Sequence, residues 1–360
     1  MFISFHIEHF PNGSASNEYD IAKEFIEKEG KNTSEVGIDY FINLKEKYRD
    51  EANNYLLNDP LAQELGIVTY EEFQDITDIK RENYDSENSI KANELGDRIF
   101  FEEQVDSFWK LQVVEQIIMR YNIYNKSDSY VSEKQNKRIN EIINSESYRD
   151  VISGDVLINY NEFILYSTVL IVISIIFLLA PIFTKDKNGN LEQIQYTTKR
   201  GRKLYRDKII TSLIASVIIV TVELGALFSL YLTRENTVEM FYNSSINSWL
   251  TVGFNWFDLT FKGYIFVTIA LIYIFSLCLS LLISFVSRKC SRYITLIGIS
   301  LLLVIVFFKL VTTEFLFWGG VGWIYKPKFL IIVFLAIMAV IGLILVLVQN
   351  RNEKKRSILT

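Results

Sequence analysis

Five apolar runs in the second half of the chain decide most of what it can become. They are Phe163–Phe183, Ile209–Leu232, Gly263–Val286, Tyr293–Val311 and Phe329–Gln349. A helix needs about 20 apolar residues to cross the hydrocarbon core of a bilayer. A buried helix of a soluble protein seldom stays apolar on every side for so long. In lipid the backbone N–H and C=O groups have no water to bond, so such runs must be helical. The sequence therefore predicts an all-α membrane protein. Five transmembrane helices fill residues 161–350, and a basic tail follows over 351–360.

Charge divides the chain at the same place. Residues 1–160 hold 32 of the 42 acidic and 17 of the 37 basic residues, a net charge of −15, while residues 161–360 carry +10. The first part reads as an acidic, soluble helical domain. Its sign excludes nucleic acid as a partner. Both cysteines, Cys278 and Cys290, lie in the membrane half, so no disulfide framework braces the acidic domain.

Lysine and arginine placement predicts orientation, because short cytoplasmic loops are enriched in them. Eight fall between Lys185 and Lys208, three between Arg288 and Arg292, and four between Arg351 and Arg356. The alternate loops, 233–262 and 312–328, are poorer in positive charge and carry Trp249, Trp256, Trp318 and Trp323. Basic loops and the C-terminus are thus expected inside the plasma membrane, with the acidic domain outside. Exporting such a domain needs a starter. The opening MFISFHIEHF is too short and too polar to span, so a further hydrophobic span is expected ahead of Met1.

Within the acidic domain the spacing predicts helices over Asp20–Lys28, Val36–Leu57 and Glu133–Asn144, and helical periodicity from Thr69 to about Met119. Thr69 before Glu71 and Glu72 is a helix cap, and Asp59-Pro60 a helix stop. Strand signals are weak. A helical bundle or hairpin with an aromatic core is expected.

Signals of enzymatic chemistry are sparse. His6 and His9 are the only histidines, with Glu8 as the only nearby carboxylate, a poor metal set. There is no G-x-x-x-x-G-K-[ST] loop to hold a nucleotide. Gly319-Gly320-Val321-Gly322 lacks the strand and helix of a dinucleotide site and reads as a bend in an outer loop. No catalytic residue, cofactor or metal is expected. Glu223 is the one ionisable residue well inside a span. It must face protein or water, as a substrate-path or helix-coupling carboxylate, or as one satisfied by a neighbouring span or held near the outer interface. Lys309 lies near a span end and can snorkel.

The loop APIFTKDKNGNLEQIQYTTKRGRKLYRDKI, residues 180–209, is too long for a minimal turn. It runs from Ala180, Pro181 and Phe183 through Asp186, Gly189 and Glu192. It continues to Thr197, Thr198, Lys199, Arg200, Gly201, Arg202 and Lys203, and ends at Lys208 before the next span. In this pattern and in its span layout, over about residues 130–350, the chain resembles permease subunits of ABC-2-type ABC transporters of low-GC Gram-positive bacteria. The family pattern has six spans, of which the first is not found here, and often Glu where this chain has Asp186. The resemblance implies a six-span core minus its first span and a re-entrant segment over 312–328. It also implies a coupling role for residues 185–205, seated on a separate ABC ATPase subunit that uses ATP. The chain would pair as a homodimer or with a second permease subunit, and would move a peptide, lipid or drug-like amphiphile. The competing reading is a membrane-anchored extracellular sensor or peptide-immunity protein. A membrane enzyme ranks last, for want of a polar catalytic cluster.

Overall fold

A computed structural model describes residues 14–33, 37–79, 87–124, 132–189, 191, 201–232, 238–251, 253–290, 292–307 and 320–355. No strand occurs among them. Two isolated bridges, Asn32 with Asp150 and Asn255 with Trp323, are the only extended pairings there. The chain divides into two units. One is drawn from Ser4–Asn159 and Glu239–Phe254, the other from Tyr160–Val238 and Asn255–Thr360.

The first, helical unit contains α1 (Ser14–Glu29), α2 (Asp39–Asn58), α3 (Pro60–Glu64), α4 (Tyr70–Ile79), α5 (Glu87–Asp97), α6 (Asp106–Tyr124) and α7 (Glu133–Ile143). Local chemistry sets their starts. The Asp59 carboxylate accepts the N–H groups of Leu61 (2.9 Å) and Ala62 (2.8 Å), with Pro60 at the first helical position. Asp59-Pro60 therefore ends α2 and also begins α3, a start that the sequence reading did not include. Thr69 and Glu72 cap each other's backbone N–H groups at α4 (3.3 and 3.1 Å), and Ser132 and Gln135 do the same at α7. The long periodic stretch from Thr69 breaks into α4, α5 and α6, with a π turn over Arg98–Glu102.

The core of this unit is aromatic. Phe25 stacks on Phe41 at 5.3 Å between ring centres. Trp249, only 1% exposed, meets Phe41 and Tyr121 edge-on at 5.6 and 5.4 Å. Trp249 comes from the loop between the second and third apolar runs, where the sequence grouped it with outer aromatics. It is a core residue of the helical unit. Its segment is fixed by directional bonds. Trp249 donates its backbone N–H to Tyr148 O (2.9 Å), and Ser245 donates its own to the Asp150 carboxylate (2.9 Å). Burial pushes the Asp150 carboxyl above its usual range, against the pull of the Ser245 N–H and Lys31.

The second unit holds most of α8 (Gly154–Leu179), then α9 (Pro181–Asn188), α10 (Leu204–Leu232), α11 (Phe261–Lys289), α12 (Tyr293–Phe307) and α13 (Leu330–Lys355). Four helices are long and apolar enough to cross a membrane: Gly154–Asp186, Leu204–Leu232, Phe261–Lys289 and Leu330–Lys355. Among the described residues the chain is thus an all-α, membrane-embedded protein. The expected run Tyr293–Val311 is helical over Tyr293–Phe307, and its remainder lies outside the described residues.

Helix α11 is the hub, packing against α9, α10, α12 and α13. Small side chains allow the close approach. Ser212 and Ser216 of α10, and Ser276, Ser280, Ser284 and Ser287 of α11, are all buried. A Cβ on Gly342 of α13 would come 3.1 Å from Leu281 Cβ. In lipid there is little hydrophobic drive between helices, so close backbone packing of small residues carries association. Ser212 and Ser216 hydroxyls donate to the carbonyls four residues earlier (2.8 and 2.9 Å), which satisfies them without water.

Candidate functional site: a polar junction at one end of the membrane helices

At one end of the membrane unit, α9 is clasped by the ends of α10, α11 and α13. The cause is Pro181. It has no N–H and forces a break after Leu179. At the break the Ala180 carbonyl accepts the Ser287 hydroxyl of α11 at 2.7 Å. The same hydroxyl oxygen lies 3.3 Å from the Phe183 N–H that it accepts. One serine thus stitches both sides of the break.

Phe183 is fully buried beside Tyr205, 5.2 Å between ring centres, in a cluster with Ile209 and Leu281. Two cations flank its ring, Lys208 Nζ at 5.3 Å and Arg288 Cζ at 6.0 Å from its centre. Lys208 Nζ also donates to Ile182 O at 2.6 Å and pairs with Asp186. α9 is therefore held by its apolar side and by its carboxylate.

The deepest contact is an ion pair. Arg288 Nε and Nη2 donate to the two Glu353 oxygens at 2.8 and 2.9 Å, and Gln349 Nε2 adds a bond of 2.6 Å. Arg288 is 5% and Glu353 3% exposed. A buried pair of this kind holds only when both ions are matched and their remaining sites are bonded. It locks the end of α11 to the end of α13.

Of the expected coupling residues, the structure brings Asp186 into this junction through Lys208. Gly201, Arg202 and Lys203 form a short 3-10 turn leading into α10, with Lys203 exposed. Glu192, Thr197, Thr198, Lys199 and Arg200 lie outside the described residues, as do His6, His9, Lys309 and Trp318. Glu223 is not part of the junction. It sits half-buried on α10, and its Oε2 is shielded with no hydrogen-bond partner among the described residues. α10 is also the barest span, with 17% of its most apolar stretch buried, against 28–61% for the other three.

Tyr205, Ser287, Gln349 and Glu353 were not anticipated. Glu353 is the one acidic residue in a tail otherwise read by its positive charges, and that oddity was the available signal. Arg288 was counted only as a topology marker.

Beyond the opposite ends of α8 and α11, Gly320 and Gly322 take left-handed backbone (φ +69° and +87°). A Cβ on Gly320 would lie 2.1 Å from Tyr264 Oη, whose hydroxyl donates to Asn161 Oδ1 at 2.7 Å and accepts the Val321 N–H at 3.0 Å. This close approach admits only glycine. Among the described residues no group of three or more His, Cys, Asp or Glu side chains could hold a metal. The polar junction ties α9 to α10 and α11, and α11 to α13. No family model, no curated protein and no solved structure matches this chain.

Proposed function

We propose that this chain is the membrane-spanning permease subunit of an ATP-binding cassette exporter, without nucleotide chemistry of its own. A separate ATPase subunit would grip residues 185–205 and drive a peptide, lipid or drug-like amphiphile across the plasma membrane. The chain would work as a homodimer or with a second permease subunit, its five spans carrying the acidic helical unit outside and the C-terminus inside.

The observation that carries this reading is the clasp around α9. A segment meant only as a linker needs no matched contacts. Here the linker's start is tied to three helix ends by Ser287, Lys208 and the Phe183 pocket. Arg288 and Glu353 bind two of those helices to each other. A push on the segment would therefore reach α10, α11 and α13 together, as alternating access requires. Support for the span layout comes from Glu239–Phe254, which follows α10 and is grouped in the helical unit with residues that precede α8. Two crossings return the chain to one side, as the lysine and arginine pattern expects.

Co-purification with a co-expressed ABC ATPase subunit tests the proposal. Arg200→Glu, Arg202→Glu and Lys203→Glu together are expected to abolish capture of the ATPase while leaving the permease folded. Equal capture by wild type and variant removes the coupling role and favours the sensor reading.

A further inference from the structure

Helix α5 and the π turn after it have two unlike sides. Ala92, Leu95 and Ile99 are buried against the rest of the unit. On the other side Ile90, Glu94, Asp97 and Phe101 are exposed, Ile90 by 61% and Phe101 by 66%. Their spacing of four, three and four puts an apolar residue at each end of an acidic centre, over roughly 16 Å. The π turn helps to set this up. Phe100 turns inward against Trp109, 5.0 Å between ring centres, and Phe101 turns out.

Among the described residues the charge of the strip is unopposed. The two cations of the stretch point elsewhere: Lys91 pairs with Glu64 at 2.8 Å, and Arg98 pairs with Asp59. Glu94 and Asp97 make no ion pair among the described residues. Around them, residues 59–103 hold 13 acidic residues against four basic.

We propose that this strip docks a cationic amphipathic peptide, whose apolar residues cover Ile90 and Phe101 and whose lysines or arginines meet Glu94 and Asp97. Charge decides the occupant. A bilayer surface rich in anionic lipid would repel the strip. A second copy meeting it face to face would bring like charges together, since a two-fold contact sets the same patch against itself. A cationic helix with apolar residues at matching intervals satisfies both parts. The inference stands whether or not residues 185–205 engage an ATPase.

The test uses the full chain in nanodiscs of zwitterionic lipid, with empty nanodiscs as the blank. The probes are an 18-residue Leu/Lys amphipathic peptide and its Leu/Glu counterpart. The Leu/Lys peptide is expected to bind loaded discs above the blank, and the Leu/Glu peptide not to. Phe101→Ser, and Glu94→Lys with Asp97→Lys, are each expected to weaken binding by about tenfold or more, as loss of a main anchor does. Glu27→Lys with Glu29→Lys, at the exposed end of α1, reverses equal charge elsewhere and is expected to leave binding within about twofold. Equal binding by the strip variants, equal loss in the α1 control, or equal binding of the Leu/Glu peptide would each overturn the proposal.

Discussion

The two units expose opposite kinds of side chain. Around an aromatic core of Phe25, Phe41, Phe108 and Trp249 the helical unit turns most of its carboxylates to solvent, with Glu18, Asp59 and Asp150 buried. The membrane unit exposes Val222 and Leu302, each by 64%, and hides Ser212, Ser216, Ser280, Ser284 and Ser287. Water drives the first arrangement by expelling apolar surface. Lipid removes that drive from the second, so its helices gain by close packing of small residues and by matched polar contacts. One chain thus follows two folding rules, and the switch between them lies near residue 160, where the charge also changes sign.

That contrast can be broken most forcefully at one residue in each unit. Trp249→Ala should cost the helical unit about 3–5 kcal/mol, the usual loss for a buried large aromatic. Denaturant unfolding in micelles, followed by far-UV circular dichroism, would register it. Arg288→Met should cost the membrane unit a similar amount, about 3–5 kcal/mol, because Glu353 is left buried and unpaired. Pairing it with Glu353→Met should recover most of the loss. Such recovery would show that the ion pair serves register rather than net stability.

A smaller effect sharpens the packing rule. Gly342→Leu should cost about 1–3 kcal/mol by forcing α11 and α13 apart at Leu281. The exposed Val340→Leu on the same helix should cost little, and a thermal scan in detergent separates the two. If both variants melt alike, close approach is not what holds these helices.

The smallest effect belongs to a surface cap. Glu72 accepts the N–H groups of Val68 and Thr69, which hold its carboxyl below the usual range. A depressed carboxyl pKa helps the folded state above its unfolded value, and that help is lost as pH falls through the folded one. Hydrogen exchange at Val68 and Thr69 should therefore quicken on acidification relative to Glu72→Gln, in which that dependence is absent.

Sequence alone revealed elements governed by local chemistry. Apolar length marked the membrane helices, spacing marked the Glu133 helix, and the cap at Thr69 was legible because a capping side chain sits three residues from its target. What escaped depends on distant partners. Nothing local in Trp249 says that it meets Phe41, 208 residues earlier in the chain. Arg288 and Glu353 each read as a membrane-edge charge until they are seen together. The serines of α10 and α11 sit at intervals of three and four, a pattern visible in the sequence but masked by the apolar average of each span.

Thiol labelling of intact cells tests the membrane arrangement most directly. In a background with Cys278 and Cys290 replaced by Ser, single cysteines at Lys203 and at Glu94 would be offered a membrane-impermeant maleimide. Labelling at position 94 and protection at position 203 until the membrane is opened is the expected result. Labelling at 203 from outside, with 94 protected, would put the polar junction beyond the reach of any cytoplasmic ATPase and contradict the transport mechanism.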